Sequence, residues 1–231
     1  MLYTEESVRA GIRVRDGKRV FFLGEGDRLS PAAKAWLQKE SISVVDRREQ
    51  APKQYTTLFG AVLTEKPEHM THLAGNTLVF KDHPRIAFRG MIDALEAEIL
   101  LCQQTASDRP ALVDALQEML DFVRSLIRAD VLGEPVRTVR LCGLDAAQLR
   151  EHSHDPAKYY GQPHFMPSHT DSPALLHVNR VRTLVRQTEL ACYRAFRDAD
   201  GNVVREDMVL ALNRLSSLCW ILMIRLKAGK L

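Results

Sequence analysis

Apolar residues recur at helical spacing through most of the carboxyl-terminal part of the chain. From Pro84 to Cys102 and from Pro110 to Ile127 they repeat every three or four residues, which is the spacing of a helix that buries one face. Two more segments of this kind, His177–Phe196 and Arg205–Gly229, follow near the end of the sequence. The pattern predicts a mainly α protein whose helices pack together as a bundle.

The first 50 residues follow a different pattern. Residues 1–15 predict a short, weakly amphipathic helix. Lys18–Leu23 and Ser41–Asp46 are rich in β-branched and aromatic residues and predict strands. Between them, Ser30 is suited to cap a helix over Pro31–Gln38, because proline is favoured at the first helical position. Strand, helix and strand in this order indicate a small N-terminal α/β unit.

The same patterns predict three parts of the chain. Residues 1–50 form the α/β unit. Residues 51–70 are polar and aperiodic at their start and contain Pro52 and Pro67, so they predict a linker. Residues 71–231 form the helical bundle.

Composition narrows the functional class. The 231 residues carry a net charge of only +3, and no basic run alternates with aromatic residues, so nucleic-acid binding is not indicated. The four cysteines lack metal-site spacing and favour a reducing compartment. The longest apolar run, Leu218–Ile224, is far shorter than the roughly 20 residues of a membrane span. We therefore expect a soluble, cytoplasmic protein.

A histidine-rich segment separates the second and third long helical patterns. His152, His154, His164 and His169 could ligate a metal, but prolines interrupt the segment and no helical spacing directs the imidazoles to one point. Contacts with a ligand or plain surface exposure are better interpretations. We predict no resident metal site here.

One polar stripe runs along the third long helix. Arg182, Arg186 and Glu189 lie at i, i+4 and i+7 and therefore share one side of that helix. Asn213 lies beside the apolar face of the last helix. Charge stripes are usually solvated surfaces with salt bridges, and the spacing alone favours that interpretation. The alternative is an anion site, because arginines at the edge of a core are unfavourable unless they pair or bind a ligand.

Several segments together resemble a known enzyme family. They are KPEHMTHLAGNTLVFKDHPRIAFRGMIDALEAEI, IRADVLGEPV, HFMPSH, RVRTLVRQTE and LALNRLSS. They resemble ATP:corrinoid adenosyltransferases of the ethanolamine-utilization type over about residues 66–228. That family is related to the propanediol-utilization type. The resemblance implies a five-helix, cobalamin adenosyltransferase-like bundle that follows the N-terminal unit.

The resemblance also implies the site residues. It assigns ATP binding to Thr71, Lys81, Arg182, Arg186, Glu189, Asn213 and Arg214. Among these, Lys81 and an arginine would contact the phosphates, Glu189 the ribose, and Asn213 with Arg214 the region of the phosphates and Mg²⁺. Arg186 and Asn213 are expected to be catalytic. Asp93 would form a salt bridge with one of the helix arginines across a subunit interface.

The reaction implied is attack of cob(I)alamin on the 5′ carbon of ATP. Such an enzyme uses ATP with Mg²⁺ and takes cobalamin as its second substrate. Tyr159, Tyr160 and Phe165 are candidates for an apolar wall that faces the corrinoid. The resemblance further implies a homo-oligomer, either a trimer or a dimer. Its expected partners are a cobalamin reductase and a cobalamin-dependent lyase, ethanolamine ammonia-lyase, in the cytoplasm or a bacterial microcompartment.

The sequence departs from the family in one respect. Some members carry a cysteine cluster that binds ferrous iron before the KP-THL segment, whereas Gln54–Met70 contains no cysteine. We therefore expect no bound iron or zinc. Two other functions remain open: a non-catalytic carrier of corrinoid or nucleotide, and a structural partner of a microcompartment. An assay with ATP and reduced cobalamin separates enzyme from carrier.

Overall fold

The computed structural model describes residues 1–15, 17–46 and 54–231. They form two compact units, Met1–Gln54 and Tyr55–Leu231, and each is considered by itself. The predicted boundary between residues 50 and 51 lies outside the described residues.

The first unit is a small α/β structure. Its elements are β1 (Leu2–Tyr3), α1 (Glu5–Ala10), β2 (Arg13–Arg15), β3 (Lys18–Leu23), β4 (Arg28–Leu29), α2 (Pro31–Lys39) and β5 (Ser43–Asp46). β3 pairs in parallel with β5 and antiparallel with β2, and β1 pairs in parallel with β4. The Ser30 hydroxyl accepts a hydrogen bond from the Ala33 amide (3.1 Å) and caps α2, as predicted.

The prediction of one helix over residues 1–15 is wrong. Thr4 caps a helix of only six residues, Gly11 ends it, and short strands flank it. Residues 1–15 contain too few turns for the apolar spacing to distinguish one long helix from a short helix between two strands. The unit closes over a small apolar core, which consists of Val8, Phe21, Ala33, Leu37 and Ile42.

The second unit begins with a four-stranded sheet. Its strands are β6 (Tyr55–Thr57), β7 (Val62–Leu63), β8 (Met70–Ala74) and β9 (Thr77–Phe80), in the order β7-β6-β9-β8. Much of the predicted linker is therefore folded, because β6 pairs in parallel with β9 and forms a hairpin with β7. Pro67 lies outside the hairpin and does not interrupt it.

Long helices make up the rest of the second unit. After α3 (Pro84–Thr105) and α4 (Pro110–Leu132) come the small hairpin β10 (Arg140–Leu141) and β11 (Leu144–Asp145), then α5 (Ala146–His154), α6 (Pro156–Tyr160), α7 (Pro173–Phe196) and α8 (Glu206–Lys227). α3 packs against α4 and α7, and α8 packs against α7 and α5. These five helices form the predicted bundle, whereas α6 is a single short helix inside the histidine-rich segment.

The bundle core explains why these helices form. Apolar residues of each helix lie on the face that is turned inward, including Ile92, Leu116, Val181 and Leu215. α8 is long and apolar enough to cross a membrane, but 67% of its most apolar window is buried inside the unit. That burial is what a core helix of a bundle shows.

A buried ion cluster joins α3, α4 and the sheet. The Asp130 carboxylate is fully buried and accepts hydrogen bonds from Arg85 (2.6 Å) and Arg89 (2.7 Å). Arg89 also donates to the Leu73 carbonyl (2.8 Å). The cluster therefore fixes strand β8, which carries Thr71, against the helices.

Candidate active site

The polar stripe of α7 faces α8 at two points. The Asn213 amide donates a hydrogen bond to the Glu189 carboxylate (2.9 Å). Seven residues away on each helix, the Arg182 guanidinium carbon lies 5.2 Å from the centroid of the Trp220 ring. Seven residues are about two helical turns, so the two contacts lie on the same side of the antiparallel pair. Arg186 lies between them along α7.

The two arginines of the stripe lack an acidic partner. Neither Arg182 nor Arg186 forms an ion pair within the part of the chain that the structure describes. Arg182 is half-buried and Arg186 is exposed. Burial and the charge of Arg186 both lower the pKa of Arg182. Two adjacent guanidinium groups without a counterion form a site that an anion would stabilise.

A cavity of about 530 Å³ adjoins this stripe. Arg214 is buried there, and its Nε atom has no hydrogen-bond partner among the residues that the structure describes. Burial, and then the charge of Arg150, lowers the pKa of Arg214, whereas Glu189 opposes the shift. The structure thus places Glu189, Asn213 and Arg214 around one cavity, and their role in ATP binding stays a prediction of the resemblance. The lining residues are Glu189, Val203, Glu206, Asp207, Val209, Leu210, Asn213 and Arg214.

Thr71 and Lys81 lie in another part of the second unit. Thr71 pairs with Val79 in the β8–β9 hairpin, and Lys81 is exposed just after β9. Phe80 and Asp82, on either side of Lys81, line a mainly apolar cavity of about 630 Å³. No hydrogen bond or ion pair connects the side chains of Thr71 and Lys81 with the α7 stripe within the described residues.

Asp93 is exposed on α3. Within residues 1–15, 17–46 and 54–231 its carboxylate has no hydrogen bond or ion pair. The predicted salt bridge with a helix arginine therefore does not form within one chain.

The three aromatic residues predicted to face the corrinoid do not form one wall. Tyr159 stacks on His152 with ring centroids 3.7 Å apart, and the Tyr160 hydroxyl lies 2.8 Å from His152 Nδ1. Phe165 instead stacks on Trp220 of α8 (5.3 Å between centroids), the ring that contacts Arg182 of the stripe. Both tyrosines of α6 thus contact α5 through His152, and their role toward a corrinoid stays a prediction.

Sequence reasoning missed Trp220 and His164 as parts of this region. Trp220 contacts both Arg182 and Phe165. Its position seven residues after Asn213, on the same helical side, is the signal that could have indicated it. The contact with His164 crosses 56 residues, and no local pattern records it.

The family follows from a match over most of the chain. The family model described as cobalamin adenosyltransferase matches residues 61–226. The chain belongs to this family. It is 30% identical over 248 aligned positions to the corrinoid adenosyltransferase EutT of Escherichia coli (strain K12), covering 96% of this chain and 90% of that protein. It is 29% identical, with the same coverage, to the EutT of Salmonella typhimurium.

A solved structure supports the fold. It is a variant of a PduO-type ATP:corrinoid adenosyltransferase from Lactobacillus reuteri, complexed with cobalamin and ATP. The match covers 80% of this chain and 90% of the other, with a TM-score of 0.50 and 15% sequence identity. The family and the five-helix fold that the sequence segments indicated are thereby confirmed.

Proposed function

We propose that this protein transfers the 5′-deoxyadenosyl group of ATP to the cobalt of cob(I)alamin, giving adenosylcobalamin and triphosphate. One observation locates this activity at a site in the structure. Arg182 and Arg186 lie between the Glu189–Asn213 pair and the rings of Trp220 and Phe165, and neither has an acidic partner in residues 1–15, 17–46 and 54–231. An anion-binding stripe beside an apolar aromatic surface suits a triphosphate and a corrinoid.

The chemistry requires no nucleophilic side chain. Cobalt(I) of the substrate supplies the electron pair for the new cobalt–carbon bond, and the C5′–O bond of ATP breaks. Triphosphate leaves with the electron pair of that bond. The protein binds and orients the two substrates. Guanidinium groups suit the leaving group, because they grip phosphate oxygens with two hydrogen bonds and offset the growing charge.

Mg²⁺ fits the oxygen ligands of the smaller cavity. Mg²⁺ is usually held by one or two carboxylates together with substrate phosphates. Glu189 and Glu206 line the cavity, and the carbonyl oxygen of the Asn213 amide is not used in its bond to Glu189. These groups would hold Mg²⁺ against the triphosphate, and the ion would offset part of the phosphate charge.

The aromatic pair has a separate task. Trp220 and Phe165 present stacked rings beside Arg182. In our proposal they exclude water and the lower axial ligand from the corrinoid, so that cobalt is more readily reduced. A reductase must deliver the reduced corrinoid, and a cobalamin-dependent lyase such as ethanolamine ammonia-lyase would consume the product. A microcompartment would hold these enzymes close together.

The activity is tested directly with ATP, Mg²⁺ and chemically reduced cobalamin. We expect the absorption spectrum of the light-sensitive adenosylated product. Persistent absence of that product, with both substrates bound, would instead favour a carrier.

Replacing Asn213 with alanine is expected to lower kcat/KM by about 10- to 100-fold, the loss of one hydrogen bond to a charged group. The side chain is exposed and bonds to Glu189 at the surface, so the melting temperature should change little. Steady-state rates of adenosylcobalamin formation measure kcat/KM, and thermal melts measure the melting temperature. Full activity in this variant would place the site elsewhere.

We further infer that each site is shared between two copies of the chain. Within the described residues of one chain, Thr71, Lys81 and Asp93 form no hydrogen bond or ion pair with the α7 stripe. Asp93 and the stripe arginines carry opposite charges and have no ion-pair partner among those residues. A homo-oligomer, a trimer or a dimer, would bring these groups together. An isologous or cyclic interface repeats such a pairing in every subunit.

Complementation tests this shared site. Lys81→Ala and Arg186→Ala are each expected to be nearly inactive. When the two chains are co-expressed and mix at random, about one site in four has both native halves and should recover about a quarter of the wild-type activity. A mixture as inactive as its parents would show that both residues act from the same chain.

A further inference from the structure

The indole of Trp220 is held on three sides. Its Nε1–H donates a hydrogen bond to Nδ1 of His164 (3.2 Å). Phe165 stacks on it at an interplanar angle of 20°, and the Arg182 guanidinium lies over it at 5.2 Å. Trp220 thus contacts both Arg182, which we propose binds the triphosphate, and Phe165, which we propose faces the corrinoid.

The hydrogen bonds of His164 fix its tautomer. Nε2 lies 3.1 Å from the carbonyl oxygen of His154 at the end of α5. A carbonyl only accepts, so Nε2 carries a proton. Nδ1 accepts from Trp220 and therefore carries none. Both ring nitrogens are satisfied only when the imidazole is neutral.

His164 lies in the segment 161–172, and a second contact with α8 holds the carboxyl-terminal end of that segment. The Lys227 ammonium forms an ion pair with Asp171 (2.6 Å), and the other Asp171 oxygen accepts from the Ser168 amide (2.8 Å). Lys227 also lies 5.5 Å from the centre of the Phe165 ring. The segment 161–172 is therefore tied to α8 at two points, His164 and Asp171.

We propose that His164 is a positioning residue of the adenosyltransferase site. Its neutral imidazole fixes the rotation of the Trp220 indole, which in turn holds Arg182 and Phe165 in place for the two substrates. This inference rests on the proposed function for its catalytic consequence. The bonding arrangement itself does not depend on it.

Two conservative replacements separate the two bonds of His164. The amide of asparagine reaches the position of Nδ1, so His164→Asn keeps an acceptor for Trp220. The amide of glutamine reaches the position of Nε2, so His164→Gln keeps the bond to His154 and loses the one to Trp220. We expect kcat/KM within about threefold of wild type for the first and about five- to tenfold lower for the second.

The loss in His164→Gln should affect both substrates. Because Arg182 and Phe165 contact the same indole, kcat/KM should fall for ATP and for cobalamin together. Thermal melts of the two variants should coincide. Equal activities in the two variants, or a loss that follows the melting temperature, would overturn the proposal.

Fluorescence tests the contact without any substrate. The chain has two tryptophans, so Trp36→Phe leaves Trp220 as the single emitter. The emission of an indole depends on the hydrogen bond that its N–H donates, so in this background the emission maximum should stay at its wild-type value in His164→Asn and shift in His164→Gln. Equal emission maxima in the two variants would contradict the contact, whereas an inactive wild type with this difference intact would contradict only the proposed function.

Discussion

Replacing Arg186 with alanine is expected to lower kcat/KM for adenosyl transfer by about 10²- to 10³-fold, the usual effect of removing one preorganised charge-stabilising donor. Arg186 is exposed and forms no ion pair within the described residues, so folding does not depend on it. The free energy of unfolding should change by no more than about 0.5 kcal/mol. Rates with saturating cobalamin and urea denaturation measure the two quantities.

The matched control is Arg194→Ala. Arg194 is also exposed on α7 and likewise lacks an ion pair in the part of the chain described, but it lies outside the stripe. It should keep nearly full activity. Arg186→Lys keeps the charge without the planar fork and should fall between the two. If Arg186→Ala and Arg194→Ala were equally active, the stripe would not be the triphosphate site.

The helices were predictable because their signals are local and repeated. α4 begins at Pro110 and ends before Gly133, which adopts φ +67°, a conformation that favours glycine. Its apolar period persists for more than four turns, from Leu112 to Ala129. By contrast, β6 contains three residues and pairs with β9, so its existence depends on a partner 21 positions away. Neither propensity nor period records such a pairing in so short a segment.

The candidate site, too, contains contacts that local spacing predicts and contacts that depend on distant parts of the chain. The spacing of Arg182, Arg186 and Glu189 placed them on one side of α7, and the resemblance indicated Asn213 as their neighbour. The bond between Asn213 and Glu189 is consistent with both. His164 could not be placed in this way, because its contact with Trp220 depends on the path of the segment 161–172. Asp130 was missed because its partners lie on another helix.

Replacing Asp130 with alanine is expected to lower the free energy of unfolding by about 3–5 kcal/mol, the usual result of removing one partner of a buried ion cluster. The carboxylate is fully buried between Arg85 and Arg89, and its loss leaves two guanidinium groups without a counterion. Urea denaturation of the second unit, Tyr55–Leu231, followed within the full chain, measures this change.

Asp114→Ala is the matched control for this substitution. Asp114 lies on the same helix but is exposed and has no ion pair within the described ranges, so the change should stay within about 0.5 kcal/mol. The cluster also makes a functional prediction, because Arg89 holds the Leu73 carbonyl two residues from Thr71. In the folded fraction of Asp130→Ala, ATP binding should weaken more than cobalamin binding. Equal stability of the Asp130 and Asp114 variants would mean that α3, α4 and strand β8 are joined by apolar packing alone.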